Sequence, residues 1–247
     1  MPSNVAKSAA DPLRVGICGL GTVAQGVIEV LRDNAERITR RAGRPIVVSR
    51  VASRRARPEF DLQGVPFCED VAVLPGHPDV DVLVELIGGE DTALSLIRAA
   101  LDLGQPVVTA NKAVLARHGD ELLRLAGTRG VSLGFEAAVG GGIPIVSALN
   151  HGLAGNAVEW LAGIINGTCN YILTSMARSG QAFEAALADA QRLGYAEADP
   201  TFDVEGVDAA HKLTILAALA FGMDHRFSEI YTEGITGVTL EDLEYAR

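Results

Sequence analysis

Residues 13–26 read LRVGIC GLGTVAQG, and the order of these two halves decides the fold. Leu13 to Cys18 is a short run with β-like character. After it, Val23, Val27, Val30, Leu31 and Ile38 recur at helical spacing. Between strand and helix lies Gly19-x-Gly21-x-x-Ala24, a turn that brings backbone N–H groups to the start of a helix. Gly19 permits the tight turn, Gly21 lets backbone approach a pyrophosphate, and Ala24 with Gly26 lets the helix lie close to the sheet. Alone, the spacing serves equally well for a structural glycine turn. Strand before and helix after favour dinucleotide binding, with Gly19, Leu20, Gly21, Thr22 and Val23 facing the anion.

Outward from this turn, apolar runs alternate with amphipathic stretches. Ile46–Ala52, Val80–Ile87, Pro106–Thr109 and Val131–Phe135 read as further strands. Helical stripes run through Ala93–Leu101, stopping at Gly104, and through Leu122–Ala126. Such alternation predicts an α/β fold, a Rossmann-like doubly wound parallel sheet covered on both faces. The rhythm changes at Gly140-Gly141-Gly142. Beyond it we expect a strand over Val158–Ile165, helices near Tyr171–Arg178 and Phe183–Leu193, and a long apolar helix from about Gly206 to Phe221. The domains are therefore read as a tail over 1–12, a dinucleotide-binding domain over 13–142, and a smaller α+β domain over 143–247.

Composition narrows the function. The 247 residues carry 21 basic and 31 acidic side chains, so the net charge of −10 disfavours nucleic acid and anionic membranes, which both need a positive field. A hydrophobic fraction of 48% in a chain of this length supports a sizeable core without metal or disulfide staples. The longest wholly apolar stretch, Ile215–Phe221, is far below a membrane span, and the N-terminus lacks a signal-peptide h-region. Cys18, Cys68 and Cys169 stand far apart, an odd count that suits a reduced cytoplasmic protein. The five histidines form no metal-ligand spacing.

Three charged groups invite a chemical reading. The second strand ends at Ser53-Arg54-Arg55 rather than at an acid, which suits the extra phosphate of NADP while leaving NAD compatible; a solvated basic edge is the plain alternative. Lys112 follows Thr109-Ala110-Asn111 at the carboxyl end of the fourth strand, where ligands meet open α/β sheets, or else simply starts a helix on the surface. Asp208 and Lys212 share one helix face at i and i+4, with Glu197, Asp199 and Asp203 in the preceding loop. Spacing alone fits a solvated salt bridge. Carboxylates crowding one lysine also fit recognition of a substrate ammonium, with the lysine left as acid or base.

The stretch AQRLGYAEADPTFDVEGVDAAHK, Ala190–Lys212, resembles the signature of homoserine dehydrogenases. GLGTVAQG at Gly19, TANKAVL at Thr109, FEAAVGGGIPIV at Phe135 and INGTCNYILT at Ile165 are similar to that family in the same order. The resemblance covers about residues 13–240. It implies NAD(P)-dependent interconversion of L-aspartate 4-semialdehyde and L-homoserine, on the route to threonine, methionine and isoleucine. By matching positions it implies Lys212 as general acid and base, Asp208 and Glu197 as substrate-binding or orienting groups, Gly194 beside the substrate, and Lys112 as a group that helps position cofactor and substrate. It also implies a monovalent cation such as sodium at Glu136, Val139, Gly141 and Ile143, and a homodimer formed through the second domain. The glycine run also reads as a hinge. Family members usually continue further, so the chain is expected to be a shortened form. The rivals are a cysteine-dependent aldehyde dehydrogenase using Cys169 and a nucleotide-binding module without turnover.

Overall fold

A computed structural model describes residues 11–246. The expected tail falls mostly on residues 1–10, outside the described residues; Asp11 and Pro12 are exposed. Contacts divide the chain between Ala138 and Val139.

Among the described residues the first unit holds six strands: β1 (Leu13–Cys18), β2 (Ile46–Ala52), β3 (Phe67–Cys68), β4 (Val82–Glu85), β5 (Val107–Thr109) and β6 (Leu133–Gly134). All adjacent pairs are parallel, in the order β3-β2-β1-β4-β5-β6. The chain winds outward from β1 on one side, then returns and winds outward on the other. This is the doubly wound Rossmann order, and its reversal between β1 and β4 opens a crevice at the carboxyl ends. Register levels those ends: Cys18 lies beside Ala52 and Glu85, and Glu85 beside Thr109.

Helices α1 (Thr22–Asp33), α2 (Ala35–Ala42), α3 (Asp91–Asp102) and α4 (Lys112–Arg129) complete this unit. The stripe reaching Ile38 is two helices, because Asn34 leaves helical geometry and its side-chain N–H donates back to the Val30 carbonyl. Strand β3, as short as β6, escapes sequence reading because it lies in a stretch broken by Pro58, Gly64 and Pro66 rather than in an apolar run. Ile17, Leu20, Ala24, Ile28, Val51 and Val84 form one buried cluster; Leu74, Leu83, Ile97, Leu101 and Leu122 belong to a second. Burying each of the larger side chains is worth about 1.5–3 kcal/mol, which is what fixes helices onto the sheet.

The second unit contains α5 (Ile145–Ser147), running into a wider turn over Ala148–Gly152, then α6 (Gly167–Ser179), α7 (Phe183–Arg192), α8 (Thr201–Val204), α9 (Val207–Phe221) and α10 (Leu240–Tyr245). Ile172, Met176, Ala186, Ala190 and Val204 form its core. The expected strand over Val158–Ile165, the β part of the α+β reading, is not formed among the described residues. Alternation specifies only which face is apolar; a strand also needs a neighbour to complete its ladder. No described helix is long and apolar enough to cross a membrane.

Candidate functional site

The glycine turn adopts the geometry its sequence demands. Gly19 has φ +104°, and a Cβ there would stand 2.6 Å from the Leu86 carbonyl oxygen, so both the backbone angle and its close neighbour require glycine. Gly21 is the N-cap of α1 in extended geometry, with no side-chain hydrogen bond capping the helix and no acidic residue in its first turn. A Cβ on Gly21 would meet no protein atom within 4 Å. The uncapped N–H groups of α1 thus face open space, an electropositive cradle of the kind that holds phosphate.

A cavity of about 510 Å³ opens on this turn. Gly19, Leu20 and Gly21 line one part of it, Leu86, Ile87 and Gly88 another, and Ser53, Arg54 and Arg55 a third. Arg57 joins them. Sequence reading stopped at Arg55; the signal for Arg57 is only that it continues the same loop, and its guanidinium lies 5.9 Å from the Phe60 ring centre. Lining groups include three guanidiniums and no carboxylate, which fits a dinucleotide carrying an additional phosphate. Thr22 and Val23, in the first turn of α1, are exposed. Lys112 opens α4 at the carboxyl end of β5, and Asn111 caps that helix through Val114 N–H at 3.1 Å.

The second unit assembles a separate polar cluster. Lys212 Nζ donates to Asp208 Oδ2 at 2.6 Å and to the Ile165 carbonyl at 2.8 Å. Asn166 Nδ2 donates to the same Asp208 oxygen and to Asp203 Oδ1, both at 2.8 Å, while Asn166 Oδ1 caps α6 through Cys169 N–H. The Asp208 and Lys212 side chains are 6% and 19% exposed, so this is not the solvated surface bridge that spacing alone also allowed. The loop acids separate into different roles. Asp203 enters the cluster, whereas Asp199 accepts from Thr201 N–H at the start of α8. Glu197 is exposed and makes no ion pair with Lys212 among the described residues; Gly194, at φ +79°, ends α7 nearby in sequence. Asn166 and the Ile165 carbonyl were not singled out from sequence, because a main-chain acceptor has no residue signature and Asn before Gly reads as a turn.

Two other expectations have defined places. Glu136 lies in a single 3-10 turn, Glu136–Ala138, at the end of the first unit. Val139, Gly141 and Ile143 follow in a turn where Gly140 and Gly142 are left-handed and Ile143 N–H donates to the Gly140 carbonyl at 2.8 Å. Cys169 donates through Sγ to the Asp203 carbonyl at 3.2 Å, and burial, with Asp203 and Asp208 adding negative charge, pushes its thiol up to about 11. A thiol held protonated is a poor nucleophile, which counts against the cysteine-dependent rival.

Comparison with known proteins agrees with this geometry. Residues 19–136 match the family model described as the homoserine dehydrogenase NAD binding domain, and residues 144–247 match the one described as homoserine dehydrogenase. The chain is 54% identical over 235 residues to a Pseudomonas aeruginosa homoserine dehydrogenase, covering 95% of this chain and 54% of that protein. Among solved structures, the Thiobacillus denitrificans homoserine dehydrogenase matches at 53% identity and a TM-score of 0.93, covering 96% of this chain and 55% of that one. A hyperthermophilic archaeal homoserine dehydrogenase in complex with NADPH matches at 25% identity and a TM-score of 0.79, over 92% of this chain and 75% of that one. The chain thus spans about half the length of the curated relatives it matches. With the glycine turn, the basic rim and the lysine–aspartate pair each inside a matched region, the chain belongs to the homoserine dehydrogenase family.

Proposed function

We propose that this chain carries out, as part of a homoserine dehydrogenase, the NADP-preferring interconversion of L-aspartate 4-semialdehyde and L-homoserine. The observation that carries this reading is the orientation of Lys212 by Asp208 Oδ2 and the Ile165 carbonyl. These acceptors engage two of the three ammonium N–H groups and leave one for a substrate oxygen. A bound nicotinamide supplies the hydride for reduction and accepts it in oxidation. What remains for the protein is the charge that grows on the aldehyde oxygen. Lys212 stabilises that charge and donates a proton to it; in the reverse direction it takes the proton from the homoserine hydroxyl. Asn166 and Lys212 donate to the same oxygen of Asp208, which fixes the carboxylate and therefore the ammonium.

Glu197 and Gly194 are assigned to substrate binding and Lys112 to the cofactor and substrate, on the family resemblance. Arg54, Arg55 and Arg57 support preference for NADP, as does the NADPH-bound archaeal relative. We assign a monovalent cation such as sodium to Glu136, Val139, Gly141 and Ile143, supported by the resemblance of the segment beginning at Phe135 to the family and by its glycine turn. A homodimer formed through the second unit is supported by exposed Trp160 and Ile164, and a cytoplasmic setting by free Cys18, Cys68 and Cys169.

The test is a spectrophotometric assay of this chain with L-homoserine and NADP or NAD. Homoserine-dependent formation of NADPH, faster than of NADH, is expected. Tight NADPH binding with no turnover would replace this reading with a nucleotide-binding module.

A further inference from the structure

Glu85 is completely buried at the carboxyl end of β4, beside Cys18 of β1 and Thr109 of β5. No step of the proposed chemistry uses it. A buried acid in the middle of a parallel sheet costs free energy unless its oxygens are satisfied. Here both are: the Thr109 hydroxyl donates to Oε2 at 2.5 Å, and Ile87 N–H donates to Oε1 at 2.6 Å. Thr109 Oγ1 in turn accepts from Asn111 N–H at 2.9 Å. The Asn111 side chain donates to the carbonyls of Ile87 and Gly89 at 3.2 and 2.7 Å and caps α4 with its oxygen. The chain of bonds leaves the sheet at Glu85, passes through Thr109 and Asn111, and returns to the turn that Glu85 also holds directly.

That turn is a wall of the dinucleotide cavity, and its Leu86 carbonyl is the group against which Gly19 is packed. The other end of the network is Asn111, the N-cap of α4, which Lys112 directly follows. We propose that Glu85 is a positioning residue, locking the Leu86–Gly89 turn and the start of α4 into one arrangement so that the glycine turn and Lys112 are set before the dinucleotide binds. This inference rests on the dinucleotide reading of the cavity. Burial raises the Glu85 carboxyl above its ordinary range, partly offset by the bonds from Thr109, Ile87 and Asn111. Glutamine keeps the side chain's shape: its carbonyl can accept from Ile87 N–H while its NH2 donates to Thr109 Oγ1, the hydroxyl turning to give up its own bond.

The experiment compares Glu85→Ala, Glu85→Gln and Thr109→Val in this chain by amide hydrogen exchange without ligand and by NADPH fluorescence titration. Glu85→Ala is expected to speed exchange at Ile87, Asn111 and Val114 by about tenfold or more, the equivalent of one ordering hydrogen bond. Exchange at Ile17 and Val51 stays unchanged, and the NADPH dissociation constant rises by a similar factor. Glu85→Gln restores both. Thr109→Val reproduces the Asn111 and Val114 effects should Glu85→Ala fail to fold. Uniformly faster exchange across the sheet with unchanged NADPH affinity would make Glu85 merely structural and overturn the proposal, as would Glu85→Gln behaving like Glu85→Ala. If the native chain binds no NADPH, the dinucleotide reading falls, and the exchange data still decide whether Glu85 positions the turn.

Discussion

Alanine at Gly19 and at Gly21 should separate folding from ligand binding, two residues apart. At Gly19 the backbone sits at φ +104°, and the new Cβ would lie 2.6 Å from a main-chain oxygen, Leu86 O, and 2.9 Å from its carbon. Neither neighbour is the flexible end of a side chain, so the turn itself must move. Strain of this kind costs of order 1–3 kcal/mol for the dihedral alone; with the backbone shift, a total of about 2–4 kcal/mol falls within the range of backbone and packing defects. At roughly 2–4 °C per kcal/mol for a chain of this size, melting should fall by about 4–16 °C. Gly21 offers the opposite case. Its φ of −105° and ψ of −170° suit alanine, and its Cβ would touch nothing in the protein. The lost chain entropy of glycine, about 0.4–1 kcal/mol, offsets a small loss of N-cap quality. The Gly21→Ala chain should therefore melt within about 1 °C of the parent while its Cβ fills the cradle, weakening NADPH by at least about tenfold, near 1.4 kcal/mol. Differential scanning fluorimetry and fluorescence titration measure the two quantities. Native NADPH affinity in Gly21→Ala would refute the assignment of this turn to phosphate, and an unchanged melting point in Gly19→Ala would refute the steric argument.

Lys212→Ala should lower turnover by about 10²–10⁴-fold, the range for a general acid, with NADPH affinity preserved; equal losses of both, measured by steady-state kinetics and titration, would argue against an acid–base role. Replacing Arg54 and Arg55 by Ser should raise KM for NADP while sparing NAD, and a parallel rise for both cofactors would reduce the basic rim to general attraction. The pH response of stability follows from Glu85. Because its folded-state pKa is raised above the ordinary value of 4.5, the folded chain holds the proton longer, and stability falls as pH rises from there to the folded-state value. Cys18, its neighbour in β1, is pushed up to about 12 by burial and stays neutral over that interval. Denaturant unfolding of Glu85→Gln should lack this decline above pH 4.5; an identical slope in both proteins would show that Glu85 does not titrate as described.

How much of this was legible beforehand depended on whether local sequence carried the relevant physics. The strand–turn–helix at Leu13–Asp33 was readable because three local rules coincide there: an apolar run, glycine backbone freedom and helical periodicity. The other long strands and helices of the first unit followed from the same periods, and Asp208 and Lys212 were paired by helix spacing alone. Strand β3 is hidden in sequence because Pro58, Gly64 and Pro66 break the stretch around it, and Val158–Ile165 has the alternation of a strand without one, since pairing is a property of the neighbour. Nor could spacing tell a solvated bridge from a buried pair. That was decided by the Ile165 carbonyl, 47 residues from Lys212, and by Asn166 reaching both Asp203 and Asp208.

Sequence by itself determined where backbone N–H groups could face an anion, which faces of helices are apolar, and that a lysine and an aspartate share one of those faces. These are consequences of bond geometry over a few residues. Tertiary structure decided the rest: that Leu86 makes Gly19 obligatory, that Arg57 joins the basic rim, that Asp203 rather than Glu197 enters the lysine cluster, and that Glu85 is a buried bridge between strands. Each depends on what a distant segment places within about 3–4 Å, and over such contacts desolvation and hydrogen bonding, rather than local propensity, set the outcome.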